Sequence, residues 1–166
     1  MKRIVPRVAI IGPIQAALPK GTFHSQRYRS EIASMVRLAI GDFEYYDPAE
    51  RVQQLLAEVG SDFFDQSSVT QIDREIVSRF HSEFLLATAE VGKCDLVVCY
   101  LPARTLSMGT AMELYSAKLG GCYVISVTEL SDNLAVTSTS DVIVNDLECL
   151  VSELRKWKVQ SFGSSD

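Results

Sequence analysis

The sequence lacks several features that would mark it for a particular partner. Its 166 residues carry a net charge of -5, and no run of lysine or arginine is long enough to follow a phosphate backbone. We therefore expect no nucleic acid polymer as primary partner. No apolar run reaches the length of a membrane span, so we expect no membrane association. Arg7 interrupts the short apolar N-terminal run, which differs from a secretory signal and indicates a cytoplasmic protein.

Metal-binding and disulfide patterns are also missing. The four cysteines form no CxxC pair, which favours reduced and mostly buried thiols. The two histidines, His24 and His81, are far apart and do not have the spacing of zinc ligands. We therefore expect no metal site.

Short apolar runs alternate with helical patterns along the whole chain. Strands are predicted at residues 7–11, 43–46, 96–101, 123–127 and 142–144, and helices at residues 25–40, 49–59, 69–91, about 110–119 and 147–157. This alternation predicts one α/β domain over residues 1–160, a flavodoxin-like or Rossmann-like three-layer sandwich around a five-stranded parallel sheet. Residues 161–166 are expected to form a frayed polar tail.

The stretch SMGTAME, residues 107–113, follows the strongest predicted strand and admits two interpretations. Ligands on parallel sheets bind beyond the carboxyl ends of the strands, where this stretch is expected to lie. Thr110 and Glu113 match the T-x-x-E pattern of a capping box, in which both side chains bind the first free amides of a helix. Alternatively, Ser107, Gly109 and the helix N-terminus form an anion site, and Glu113 is a working carboxylate beside it. Both interpretations stay open on the residues alone.

A longer segment, CDLVVCYLPARTLSMGTAMELYSAKLGGCYVI, resembles the nucleoside 2-deoxyribosyltransferase superfamily. Two shorter motifs, VAIIGPI near the N-terminus and YYDP around Asp47, resemble the family's first strand with its substrate loop and the end of its second strand. The resemblance covers roughly residues 7 to 145. It implies a flavodoxin-like fold, cleavage of an N-glycosidic bond without a cofactor, and a homodimer or larger homo-oligomer. Glu113 falls on the family's catalytic glutamate.

Ser107 narrows the resemblance to one branch. Transferases that use free nucleosides carry an aspartate at this position, whereas the branch resembling nucleoside 5′-monophosphate N-glycosidases carries a serine. An aspartate repels a phosphate dianion, while a hydroxyl at a helix N-terminus attracts it. The resemblance therefore implies hydrolysis of a nucleoside 5′-monophosphate to free base and sugar phosphate, with Glu113 as nucleophile or as stabiliser of an oxocarbenium-like transition state. The candidate substrate-binding residues are Gly12, Pro13, Ile14, Gln15, Asp47, Arg104, Ser107, Met108, Gly109 and Thr110. For Arg104, which would add charge to a phosphate site, a solvated loop arginine is the open alternative.

One position departs from the family pattern. The family places a second acid eight residues before the aspartate that opens the central strand, and counting back from Asp95 gives Ala87. Glu83 lies one helical turn earlier on the same face and is the candidate replacement. Two alternatives follow: a deoxyribosyltransferase that exchanges bases, and a non-catalytic nucleotide-binding module. Arg29 could reach the sugar and base pocket from the first helix, but we expect it to be a surface residue.

Overall fold

The computed structural model describes residues 5–14, 24–59 and 74–163. Five strands lie in these residues: β1 (Arg7–Ile11), β2 (Glu44–Tyr46), β3 (Leu96–Leu101), β4 (Tyr123–Thr128) and β5 (Val142–Val144). They pair in parallel in the order β2-β1-β3-β4-β5. This order is that of a flavodoxin-like sheet, so the predicted fold class is confirmed.

Helices cover both faces of the sheet. The helices in the described residues are α1 (Arg27–Ile40), α2 (Ala49–Val59), α3 (Arg74–Val91), α4 (Met108–Gly120), α5 (Leu134–Thr139) and α6 (Leu147–Phe162). One face carries α1 and α6, and the other carries α3, α4 and α5, which completes the three layers. None of these helices is long and apolar enough to cross a membrane.

Strand β3 is shared by two apolar cores, one on each face of the sheet. Val98 packs in the core that contains Ile32 and Val36 of α1. Val97 packs in the core that contains Leu114 and Ala117 of α4. Each side chain of this kind contributes roughly 1.5–3 kcal/mol when it is fully buried. Burial on both faces explains why the strand is apolar throughout.

A close contact between two helix ends fixes the position of α4. A Cβ atom on Gly120 would lie 1.8 Å from the carbonyl oxygen of Gly92, and one on Gly92 would lie 2.7 Å from the carbonyl oxygen of Ser116. Only glycine allows this approach of the two backbones. Helix α4 carries Glu113, so the contact holds that residue in place over the sheet.

Some helix boundaries differ from the prediction. Helix α6 continues to Phe162, whose ring meets the ring of Trp157 edge to face at 5.6 Å. Residues 161–162 are therefore helical, and the predicted tail is wrong there; residues 164–166 lie outside the described residues. Helix α5 was not predicted, because its sequence is rich in hydroxyl residues. Asn133 caps it by accepting hydrogen bonds from the amides of Ala135 and Val136.

Candidate active site

The start of helix α4 decides between the two interpretations of Glu113. Ser107 is the N-cap: its Oγ accepts hydrogen bonds from the Thr110 amide at 3.3 Å and from the Thr110 hydroxyl at 2.9 Å. Thr110 is therefore the third residue of the helix, and its hydroxyl is turned toward Ser107. The interpretation of Thr110 and Glu113 as a capping box is wrong, because the cap lies three residues earlier. Glu113 lies one turn inside the helix, with no capping role.

Glu113 is buried at the inner face of α4, with 7% of its surface exposed. Burial raises the pKa of its carboxyl group from the ordinary 4.5 to about 8, Arg29 opposes this rise, and Asp47 adds to it. None of the hydrogen bonds found between described residues involves its carboxyl group. Burial therefore favours the protonated form of this acid over its carboxylate.

Arg29 binds the ends of two strands and lies near enough to Glu113 to oppose the rise in its pKa. It is buried, with 3% exposure, and its Nη1 lies 3.1 Å from Asp47 Oδ1. The guanidinium donates to the backbone carbonyls of Ile10 and Gly12. Its Nε donates to the Gln26 side chain at 2.8 Å. One cation therefore binds the carboxyl ends of β1 and β2 together.

The expectation that Arg29 lies at the surface is wrong. The signal for its burial was in the sequence, because position 29 precedes Ile32 by three and Val36 by seven residues, on the apolar stripe of α1. A charged residue on such a stripe needs a buried partner. Asp47 supplies it, and is itself fixed by accepting from the Ala49 amide at 2.9 Å and the Tyr45 hydroxyl at 3.2 Å.

The loop after β1 lies beside this ion pair. Gly12 has no room for a side chain, since a Cβ there would lie 2.6 Å from Tyr28 Oη and 2.7 Å from the Tyr100 carbonyl oxygen. Pro13 is buried, and its carbonyl accepts from the Gln26 side chain at 3.2 Å. The Ile14 carbonyl accepts from the His24 amide at 2.7 Å. Gln15 lies outside the described residues.

Tyr28 is a second buried residue that sequence reasoning missed. Its ring packs against the Tyr100 ring at 5.0 Å, and its hydroxyl is buried without a hydrogen-bond partner in the described part of the chain. Burial raises the pKa of the phenol, Arg29 opposes this effect, and Glu113 adds to it. Tyr28 is therefore near enough to Arg29 and Glu113 for their charges to act on its phenol.

Two of the expected site residues are held by other partners. Arg104 is exposed, and its Nη2 lies 3.0 Å from both carboxylate oxygens of Asp132. Glu83 is partly exposed and pairs with Arg51 at 2.8 Å. At the family's second-acid position, Ala87 is buried, and its carbonyl accepts from the Tyr46 hydroxyl at 3.0 Å.

The remaining expected residues lie at the start of α4. Gly109 faces the ring of Phe84, which lies 3.6 Å from where a Cβ would be, and Met108 is 89% exposed. Ser107 and Glu113 are six residues apart, or about 9 Å along the helix axis. The structure thus brings together Glu113, Asp47 and the loop after β1, with the capped end of α4 at one side. Among residues 5–14, 24–59 and 74–163, no three metal-ligating side chains form a group.

Comparison with known proteins adds information on the fold. No family model matches the chain, and no curated protein matches it. Among solved structures, it is similar to the crystal structure of a conserved protein from Enterococcus faecalis V583, with a TM-score of 0.53 and 18% sequence identity. The match covers 92% of this chain and 99% of that one. At this identity the likeness shows that the two chains share a fold.

Proposed function

We propose that the protein cleaves the N-glycosidic bond of a nucleoside 5′-monophosphate, and that Glu113 is the catalytic carboxylate. The observation that carries this proposal is the placement of Glu113: a buried carboxyl group with no capping role, beside the Arg29–Asp47 pair at the carboxyl ends of the strands. Ligands of this fold bind at that edge. The resemblance of residues 7 to 145 to the deoxyribosyltransferase superfamily supports the same reaction.

The capped end of α4 is the proposed phosphate site. Ser107 Oγ accepts two hydrogen bonds from Thr110, so its own hydroxyl hydrogen remains available to donate. The first amides of α4 and the positive end of its dipole add to the attraction for an anion. A phosphate held here would leave the sugar directed along the helix toward Glu113.

At the sugar, the ionised Glu113 would attack C1′ or stabilise the positive charge that develops there. The C1′–N bond breaks, and its electron pair leaves with the base, which takes up a proton. Water then supplies hydroxide to C1′, and the products are free base and sugar phosphate. The rate is expected to rise with pH toward about 8, since the raised pKa of Glu113 keeps most of the carboxyl protonated below that value.

The test is an incubation of the protein with ribo- and deoxyribonucleoside 5′-monophosphates and with the matching nucleosides. Release of base from monophosphates alone, read by chromatography, supports the proposal. Glu113→Gln is the inactive variant, and Glu58→Gln on exposed α2, where Glu58 pairs with Arg79, is the matched control. Release that Glu113→Gln leaves unchanged would refute the mechanism. If a second base is added and exchange exceeds hydrolysis, the transferase alternative holds.

The non-catalytic alternative has one observation in its favour. Position 87 carries an alanine, and the carboxylate of Glu83 is paired with Arg51, so neither position supplies a free second acid for the reaction. A binding module on this fold would show calorimetric nucleotide binding with no base released at any pH. We also propose that the working form is a homo-oligomer, as the resemblance implies, and that the protein is cytoplasmic.

A further inference from the structure

One arginine and two acids lie together at the edge of the sheet where the strands end. Arg29 and Glu113 are buried, and Asp47 is half-buried. Arg29 comes from α1 and Glu113 from α4, which cover opposite faces of the sheet. The two side chains therefore approach each other beyond the ends of the strands. Because burying an unpaired charge is costly, the charge of each of these groups depends on the other two.

The guanidinium of Arg29 is held at this edge by several acceptors. Its Nε donates to the Gln26 side chain at 2.8 Å, and its Nη1 donates to the Ile10 carbonyl and lies 3.1 Å from Asp47 Oδ1. Its Nη2 donates to the Gly12 carbonyl at 3.4 Å. Since Nη2 carries two hydrogens, one N–H group remains for a further acceptor. The two backbone carbonyls keep the cation in place whichever acid it serves.

Glu113 responds to both charges of the Arg29–Asp47 pair. Burial raises the pKa of its carboxyl group to about 8, Arg29 opposes this rise, and Asp47 adds to it. While Glu113 is protonated, the pair beside it is neutral. When Glu113 ionises, one cation serves two carboxylates, and the site as a whole becomes negative.

The other titratable groups on the elements around α4 are neutral or already paired. Burial raises the pKa of the phenols and the thiol among them, which stay uncharged at neutral pH: Tyr28, Tyr45, Cys99 and Tyr123. On α3, Glu83 pairs with Arg51, and Glu90 pairs with Arg7. Helix α5 has no titratable side chain. Arg29 is thus the cation among these groups that acts on the α4 carboxyl group.

We propose that Arg29 is a positioning residue that stabilises the ionised form of Glu113 by sharing one buried cation between this acid and Asp47. The remaining Nη2 hydrogen is the donor available to the Glu113 carboxylate. The importance of this form for cleavage rests on the proposed function, because the carboxylate is the form that acts at C1′. The action of Arg29 on the ionisation of Glu113 does not rest on it.

Removing each charge should move the ionisation of Glu113 in opposite directions. Arg29→Gln leaves two acids without their cation, so the midpoint of the Glu113 titration should rise by about one pH unit or more, whereas Asp47→Asn should lower it. The double variant with both changes leaves no unpaired acid, and its midpoint should lie between those of the single variants. Arg29→Lys keeps the charge and should stay closer to the wild type than Arg29→Gln does.

The experiment follows the carboxyl carbon of Glu113 by NMR in the full-length chain labelled at glutamate, from about pH 5 to pH 10. The signal is identified by its absence from Glu113→Gln. The matched control is Arg79→Gln on α3, because Arg79 Nη2 also lies 3.1 Å from a carboxylate oxygen, that of Glu58, but both side chains are exposed. This control should leave the midpoint unchanged. Circular dichroism of each variant checks that its fold is retained.

A midpoint that rises in Arg29→Gln, falls in Asp47→Asn and returns toward the wild type in Arg29→Lys supports the proposal. A midpoint that Arg29→Gln leaves unchanged overturns it. If that variant does not fold, a double variant whose midpoint is no higher than that of Asp47→Asn overturns it equally.

The rate of base release gives the second readout. At pH 7, Arg29→Gln should release base about tenfold more slowly than the wild type and recover as the pH rises, which a structural defect alone would not produce. A loss that no pH restores overturns the positioning role. If the midpoints shift as expected but the wild type releases no base, the proposed function is refuted, while the action of Arg29 on Glu113 is supported.

Discussion

Replacing Glu113 by glutamine should stabilise the fold, by an amount that depends on pH. The folded protein raises the pKa of this carboxyl group to about 8, mainly through burial, while in the unfolded chain it returns to its ordinary value. The wild type therefore has its full stability below about pH 4.5, where the carboxyl group is protonated in both states. It loses stability as the pH rises from there toward 8. Glutamine has no proton to lose, so the variant avoids this loss.

The magnitude follows from the separation of the two pKa values. Each pH unit above the unfolded-state pKa lowers the stability of the wild type by about 1.4 kcal/mol, until the folded-state pKa is reached. At pH 7 the solution lies between two and three units above the unfolded-state pKa. The wild type should therefore be less stable than Glu113→Gln by on the order of 3 kcal/mol at pH 7, and the two should be nearly equal below pH 4.5. For a chain of this length the difference corresponds to roughly 6–12 °C in Tm.

Urea unfolding of both proteins at a series of pH values between 4 and 8 measures this difference. The comparison includes an internal control, because the difference in unfolding free energy between the two proteins must increase as the pH rises. Glu113→Asp, which keeps a carboxyl group, should follow the pH dependence of the wild type. A gap that is constant with pH, or a glutamine variant that is the less stable protein at pH 7, would refute the conclusion that Glu113 is a buried acid with a raised pKa.

Three further outcomes are expected at the same site. Base release by the wild type should rise about tenfold between pH 7 and pH 9 as Glu113 ionises. Asp47→Asn removes a nearby negative charge that raises the pKa of Glu113, so the rise in its pH–rate profile should occur at lower pH. Ser107→Ala should cost about 1 kcal/mol in urea unfolding through the lost helix cap, whereas Ser107→Asp should keep the cap and weaken calorimetric binding of monophosphates by charge repulsion. Gly12→Ala should destabilise the fold by about 1–3 kcal/mol, because its Cβ would clash with the Tyr28 hydroxyl and with the backbone carbonyl of Tyr100; an unchanged Tm would contradict these contacts.

The sheet could be predicted from the sequence because its strands carry a local signal. The apolar runs at β1, β3 and β4 are buried on both faces of the sheet. A glycine or a turn follows each strand or the helix that comes after it, and these breaks mark the boundaries of the elements. Helix α5 carried no such signal. Its hydroxyl residues are typical of loops, and the segment is helical because Val136 and Thr139 are buried and Asn133 caps its first amides.

Only the part of the site that depends on local sequence could be predicted. Position 113 could be placed near the carboxyl ends of the strands, but its environment depends on Arg29 and Asp47, which are distant in the chain. The position of the cap was ambiguous because Ser107 and Thr110 are both preferred N-cap residue types and lie three positions apart. The structure selects Ser107, and this choice releases Glu113 from a capping role.

The measurement that tests the central claim most directly is kcat/KM for base release from nucleoside 5′-monophosphates. Wild type, Glu113→Gln and the Glu58→Gln control would be compared at pH 8, where about half of the Glu113 carboxyl is ionised. Our account predicts a wild-type rate well above the uncatalysed one, an equal rate for Glu58→Gln, and a loss of at least about a hundredfold in Glu113→Gln despite its greater stability. Wild-type protein that releases no base, or a Glu113→Gln variant that keeps the full rate, would contradict it.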